Sequence, residues 1–191
     1  MSTSRRVLQR PATLADLLAL PADVAAELVN GELVEKALPT FEHGDAQAEI
    51  TTQLRSRFGG PPRDGGGGWW IADEVDVEYG QETFRHDVVG WRRDRASQRP
   101  SGRPVRLRPD WVCEVLSPSN ASTDTVKKLR TLHAHAVPHY WLADPDRRTL
   151  TVLRWENAGY LAILNAEAGE IVRAEPLEAI ELRTGPIFGD E

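Results

Sequence analysis

Alternating apolar and polar residues predict several of the helices and strands in this chain. In residues 43–58 an apolar side chain recurs at every fourth position, which predicts an amphipathic helix with one buried stripe. The stripe consists of Ala46, Ile50, Leu54 and Phe58. In WWIADEVDVEY, acidic and apolar residues alternate from Glu74 to Tyr79, which is typical of a strand with one apolar face and one solvated acidic face.

Shorter patterns predict the other elements. Asn30-Gly31 lies between two apolar segments and predicts a β-hairpin, because both central residues of such a turn need a positive φ. FRHDVVGW, DWVCEVL and HYWLADP predict three strands, and TLTVLRWE and GYLAILN predict a meander. Helices are expected over residues 13–20 and about 125–135. This order predicts one α/β (α+β) domain over residues 12–191 with a mixed sheet, after a flexible arm of residues 1–11.

The composition limits the class of protein. The chain has 191 residues, 40% of them hydrophobic, and a formal charge of −6, which excludes a wholly disordered chain. No apolar run approaches the ~18 residues of a membrane span, and no secretory signal is recognisable, so no membrane association is expected. The single cysteine, Cys113, cannot form an intrachain disulfide, which fits a cytoplasmic protein.

The net acidity argues against a protein that coats nucleic acid, but the positive charge is concentrated in one loop. Seven arginines lie between the strands FRHDVVGW and DWVCEVL, and no other stretch is strongly basic. They are Arg92, Arg93, Arg95, Arg99, Arg103, Arg106 and Arg108. A basic stretch of this kind leaves open an enzyme that touches nucleic acid through one local patch.

Two acidic residues lie within predicted strands, where a charge is unusual. Asp87 is in RHDVVGW and Glu114 is in WVCEVLS, and a buried carboxylate is costly unless it is paired or bound to a metal. Carboxylates that converge from neighbouring strands are suitable ligands for Mg²⁺, which could generate a hydroxide and offset charge on a phosphate. The alternative is that each acid pairs with an arginine at a sheet edge, and spacing alone does not decide between the two.

Four further residues are candidates for accessory roles, each with a structural alternative. Lys128 on the following helix could reach over the end of the Glu114 strand, or lie on the surface. Glu27 could point into the same cleft or be an exposed hairpin residue, and Glu74 could be a ligand or part of a solvated face. His43 could orient a carboxylate or cap the long helix. Signatures of serine hydrolases, P-loop proteins and Rossmann folds are missing from the sequence.

The ordered motifs ELVNGELVEK, His43, Asp87-Val88, CEVLSPSN and VPHYWLADP resemble those of the Uma-two family of restriction-endonuclease-like proteins in the PD-(D/E)XK nuclease superfamily. The resemblance runs from about Glu27 to Pro145. It implies a mixed central sheet flanked by helices, with an N-terminal hairpin. It also implies Mg²⁺, with Mn²⁺ as a substitute, and hydrolysis of DNA phosphodiesters. A homodimer is expected by the same resemblance, since cutting both strands needs two sites.

The resemblance assigns roles residue by residue. Asp87 matches the aspartate of the family's Pro-Asp pair, although His86 replaces the proline. Glu114 matches the acid of the E-x-K element, and the two acids would hold the metal. The lysine of that element would be residue 116, which is Leu116 here, and Lys128 takes its place from the helix. Lys128 would orient water or stabilise the transition state, and Glu27 would be an accessory ligand. Arginines of the basic loop would contact the DNA backbone, which positions a substrate without reading its sequence; the candidates are Arg92, Arg93, Arg95 and Arg106.

Two other functions are compatible with the sequence. A catalytically inactive nuclease-like fold could bind DNA or a protein, as the net acidity and the missing lysine at position 116 would allow. A protein-interaction domain could use its six tryptophans, although most of them fall in predicted strands, where core packing is the usual role.

Overall fold

The described part of the chain contains four helices and ten strands. The computed structural model describes residues 10–21, 23–63, 67–117 and 123–190. The helices are α1 (Leu14–Leu18), α2 (Phe41–Phe58), α3 (Thr123–Ala134) and α4 (Thr184–Ile187). The strands are β1 (Ala26–Val29), β2 (Glu32–Glu35), β3 (Trp69–Tyr79), β4 (Glu82–Arg92), β5 (Trp111–Val115), β6 (His139–Asp144), β7 (Thr149–Glu156), β8 (Gly159–Glu167), β9 (Ile171–Val172) and β10 (Leu182–Arg183). None of the helices in these ranges is long and apolar enough to cross a membrane.

Eight of the strands form one mixed sheet. Its order is β2-β1-β4-β5-β6-β7-β8, and β3 pairs with β4 beside this path. The strands β5 and β6 run parallel and are connected through α3, while the other neighbours within the sheet are antiparallel. Helices flank this sheet, so the predicted mixed α+β architecture is confirmed.

The N-terminal hairpin forms as predicted. Asn30 and Gly31 have φ values of 51° and 75°, which is the backbone that this turn requires. The Asp16 carboxylate accepts a hydrogen bond from the backbone N–H of Thr13 and caps α1. Residues 1–9 of the predicted flexible arm lie outside the described residues. Its end is ordered, since Arg10 pairs with Asp16.

Two apolar cores lie on the two faces of the sheet. The predicted stripe of α2 is fully confirmed as buried and packs with Trp111, Cys113 and Trp141 on one face. On the other face, Leu132 of α3 packs with Val112 and its neighbours. Four tryptophans are buried, and Trp70 and Trp155 are partly buried. The tryptophans therefore serve mainly as core residues rather than as an exposed interaction patch.

The regular alternation of β3 and β4 is interrupted at Glu74 and Asp87. Trp70 and Val75 lie five positions apart but belong to the same apolar core, so β3 changes faces between them. Glu74 lies at the interruption and has a φ of 53°. Phe84 and Val88 of β4 lie four apart but belong to opposite cores, so β4 changes faces near Asp87. The expectation of a solvated acidic face is wrong at Asp76, which is buried and paired with Arg85.

Candidate active site

Two strands share one edge of β4 and leave a gap between them. At this edge Thr83 pairs with Leu28 of β1, whereas Val88 pairs with Cys113 of β5. Beside the gap, side-chain carboxylates accept hydrogen bonds from backbone N–H groups. Oε1 of Glu27 accepts a hydrogen bond from the N–H of Arg85 at 3.0 Å. Such bonds matter because an unpaired buried N–H is costly. Acidic side chains therefore lie at the gap, where they bind backbone N–H groups of the sheet.

Asp87 lies at this gap, where its carboxylate accepts hydrogen bonds from two donors and lies near His43. Its Oδ2 accepts a hydrogen bond from the N–H of Val115 at 2.8 Å. Its Oδ1 lies 2.9 Å from Nζ of Lys36 and 3.6 Å from Nε2 of His43. Burial raises the pKa of the Asp87 carboxyl, but the His43 contact and the charges of Lys36 and Lys128 outweigh burial and hold the pKa below its usual value. Asp87 is therefore ionised at neutral pH.

Glu114 lies on the adjacent strand one residue after Cys113, and Cys113 pairs with Val88, the residue after Asp87. Its Oε2 lies 3.1 Å from Nζ of Lys128, which also lies 2.8 Å from Oε1 of Glu27. Its Oε1 lies 2.6 Å from Nδ1 of His86. Burial raises the pKa of Glu114, but the charge of Lys128 and the His86 hydrogen bond leave it below its usual value. For Lys128 burial lowers the pKa, but the charges of Glu114 and Glu27 outweigh burial and raise the pKa above its usual value.

Most of the residues predicted for the site therefore meet in one cleft. Asp87, Glu114, Lys128, Glu27 and His43 all line it. Thr40 caps α2 through the N–H of His43, so the side chain of His43 is available to Asp87. Glu74 lines the same cleft and is linked to the site through Gln47, which donates to Oε1 of Glu74 and to the carbonyl of Asp87.

Three functional candidates were not identified from the sequence. Lys36 contacts Asp87, His86 contacts Glu114, and Gln47 joins α2 to β4. A lysine at the end of a hairpin is usually a surface residue, and the sequence contains no pattern that distinguishes Lys36 from one. Its position could have been inferred from Glu27, because the N–H of Lys36 bonds the carbonyl of Ala25, two residues before Glu27, and alternate residues of a strand share a face.

The site has the composition expected for a hard cation. Three buried carboxylates face two ammonium groups, so the cluster carries one uncompensated formal negative charge. In the described ranges, no three His, Cys, Asp or Glu side chains group into a metal cage. Mg²⁺ does not require one, since it commonly takes one or two carboxylates and keeps several waters. The carboxylates of Asp87 and Glu114 therefore fit this ion.

The four arginines predicted to contact DNA are bound within the chain. Arg92 pairs with Asp94, Arg95 with the buried Asp110, and Arg106 with Glu78. The guanidinium of Arg93 lies 3.3 Å from the centroid of the Trp70 ring, in a cation–π contact. Two of the four remain well exposed, with 56% of the Arg92 side chain and 77% of the Arg106 side chain accessible. Their contact to DNA stays a prediction.

The mixed sheet and its acidic cleft define a nuclease-like fold. The chain belongs to the Uma2 family, described as "Putative restriction endonuclease", whose family model matches residues 14–185. This confirms the resemblance to the Uma-two family. In structure the chain is similar to a putative nuclease belonging to DUF820 from Anabaena variabilis ATCC 29413. The TM-score is 0.73 at 24% sequence identity, with 93% of this chain and 98% of that chain covered. The likeness confirms the fold. No curated protein matches the sequence.

Proposed function

We propose that this protein is a metal-dependent endonuclease that hydrolyses phosphodiester bonds in DNA. The observation that carries the proposal is the arrangement of Asp87 and Glu114, which lie on adjacent strands and line one cleft with two lysines. Membership of the Uma2 family supports the same reaction class. Other buried acids of the chain, such as Asp76, are paired with arginines instead.

Asp87 and Glu114 would hold Mg²⁺, for which Mn²⁺ could substitute. When bound, the metal ion supplies a nucleophilic hydroxide at neutral pH and offsets the charge that builds up on the phosphate. The hydrogen bond from Val115 to Oδ2 keeps Asp87 oriented toward the cleft. The cations around both acids keep them ionised, which a ligand for a hard cation requires.

Lys128 and Lys36 would have different roles in the reaction. Lys128 is enclosed between Glu27 and Glu114, with 8% of its side chain exposed, and it holds Glu114 in place and ionised. Lys36 has 18% of its side chain exposed and lines the open part of the cleft. Its ammonium group is the one that could meet a phosphate oxygen and stabilise the negative charge of the transition state. Arg92 and Arg106, which do not line the cleft, would contact the DNA backbone outside it.

Plasmid nicking with and without Mg²⁺ tests the proposal. The wild-type protein should nick only with the metal, and Asp87→Asn and Glu114→Gln should each abolish nicking. Asp76→Asn is the matched control, because Asp76 is a similarly buried carboxylate that does not line the cleft. Equal nicking by the wild type and Asp87→Asn would contradict the assignment. Light scattering of the same samples would decide whether the protein is the expected homodimer.

One observation favours a second function, that of an inactive nuclease-like fold that binds DNA or a protein. The oxygens of Asp87 and Glu114 already accept contacts from the protein's own Lys36, Val115, His86 and Lys128. Contacts of this kind could be retained because they stabilise the fold, even in a protein without activity. Mn²⁺ titration of the wild type and Glu114→Ala separates the two functions. Binding that is lost in Glu114→Ala supports the enzyme, and absence of binding in both proteins supports the inactive fold.

A further inference from the structure

Behind Glu114, on the side away from Lys128, lies a short chain of buried polar groups. Nδ1 of His86 is 2.6 Å from Oε1 of Glu114, and Nε2 of His86 is 2.8 Å from the hydroxyl of Tyr79. His86 is fully buried and Tyr79 is 2% exposed. The aromatic rings of Tyr79 and Phe84 pack against the imidazole, with centroids 5.7 Å and 6.3 Å away. The imidazole is therefore fixed in position from several sides.

The hydrogen bonds of this chain have a defined direction. An ionised Glu114 can only accept, so Nδ1 of His86 must carry the proton and donate it. With the proton on Nδ1, Nε2 is free to accept a hydrogen bond from the Tyr79 hydroxyl 2.8 Å away. Burial raises the pKa of Tyr79 well above its usual value, so that hydroxyl keeps its proton. Tyr79 thus selects the tautomer of His86 that Glu114 needs.

We propose that His86, held by Tyr79, is a positioning residue that fixes the carboxylate of Glu114 for metal binding. The inference deepens the proposed function and depends on it for the metal. With Oε1 bound to His86 and Oε2 bound to Lys128, the carboxylate is held at both ends, in one orientation relative to Asp87. Both nitrogens of His86 are engaged, so the ring supports a ligand without being one. Partners of this kind typically change metal affinity 10- to 100-fold when they are removed.

Three substitutions test the positioning role through Mn²⁺ affinity, measured by titration calorimetry. His86→Leu should weaken Mn²⁺ binding about 10- to 100-fold. His86→Asn should recover most of the affinity, because its amide can place an N–H donor where Nδ1 lies. Tyr79→Phe should weaken binding by a smaller factor, since it removes only the group that selects the tautomer. Tyr160→Phe is the matched control, because its hydroxyl bonds the carbonyl of Val137 outside the cleft.

NMR of the ¹⁵N-labelled protein provides a readout that needs neither metal nor activity. The expected spectrum has the His86 proton on Nδ1 in the wild type and in Tyr160→Phe, and a mixture of tautomers in Tyr79→Phe. A wild-type proton on Nε2 alone, or Mn²⁺ affinity unchanged in a folded His86→Leu, would overturn the positioning role. A wild type that neither binds Mn²⁺ nor nicks DNA would overturn the metal-dependent nuclease instead. The tautomer would then still decide whether Tyr79 holds His86 on Glu114.

Discussion

Nζ of Lys36, just beyond the first hairpin, lies 2.9 Å from Oδ1 of Asp87 in the middle of the sheet. The same ammonium group donates to the carbonyl of Arg85 at 3.2 Å. Burial lowers the pKa of Lys36, but the charge of Asp87 raises it above its usual value, so Lys36 is cationic at neutral pH. The contact joins the hairpin to the strand that carries Asp87 and places a positive charge at the open part of the cleft.

Replacing Lys36 should therefore impair catalysis more than binding. Lys36→Met removes the partly buried ammonium group that would stabilise the transition state, and we expect kcat for DNA nicking to fall about 100-fold with little change in KM. Lys127→Met is the control, because Lys127 does not line the cleft. An unchanged kcat in Lys36→Met would assign the contact to structure alone.

Lys128 should be essential for stability. Lys128→Met leaves Glu27 and Glu114 buried and uncompensated, which should cost about 3–5 kcal/mol of unfolding free energy in urea. Adding Glu27→Gln removes one of the two stranded charges. The double variant should thus lose about 0.5–3 kcal/mol less than the sum of the single variants. Additive losses would show that the two groups do not interact.

The stability of the fold should fall in acid. Burial raises the pKa of Asp76, but Arg85 and Arg103 lower it overall, and the pKa values of Asp87 and Glu114 are lowered as well. A depressed pKa in the folded state stabilises the protein above the unfolded value of about 4 and ceases to do so as the pH falls. Urea unfolding should therefore show a decrease in stability from pH 5 to pH 2. The decrease should be smaller in Asp76→Asn, and an identical pH profile would contradict this account.

The basic loop should divide into structural and DNA-binding arginines. Arg95 holds the buried Asp110, and Arg95→Ala should cost about 1–3 kcal/mol of stability because it leaves that carboxylate without its ion pair. Arg106 is exposed, and its partner Glu78 is less buried than Asp110. Arg106→Ala should leave stability nearly unchanged but lower DNA affinity and reduce its salt dependence by about 0.9 in log–log slope. Equal salt slopes in the wild type and Arg106→Ala would exclude a phosphate contact by Arg106.

The hairpin turn should tolerate no side chain at Gly31. A Cβ there would lie 2.9 Å from Cβ of Pro11, and the φ of 75° is itself unfavourable for alanine. Gly31→Ala should lower the melting temperature more than Gly169→Ala does. Gly169 has a φ of 89° with no atom near its missing Cβ, so the comparison isolates the contact with Pro11. The positive φ alone should cost the alanine variant about 1–2 kcal/mol of unfolding free energy at either position.

Local patterns in the sequence predicted the elements well, because each depends on neighbours along the chain. The stripe of α2 and the Asn30-Gly31 turn are examples. The pairing of Asp87 with Glu114 was expected in outline, since the two strands follow one another in sequence. Lys36 and His86 were missed because their roles depend on side-chain contacts across the sheet. The burial of Asp76 was missed because strict alternation assumes a regular strand, and β3 is interrupted at Glu74.

The gap along β4 affects how related sequences should be compared. Glu27 and Asp87 accept hydrogen bonds from the backbone amides of Arg85 and Val115, so losing either acid would leave a partly or fully buried amide unpaired whether or not the protein cuts DNA. Selection for folding alone would therefore retain both acids in a descendant that had lost activity. Lys36 is a more informative marker, because its proposed role is at the open part of the cleft. A relative that keeps Glu27 and Asp87 but has replaced Lys36 would be expected to be a folded protein with strongly reduced nuclease activity.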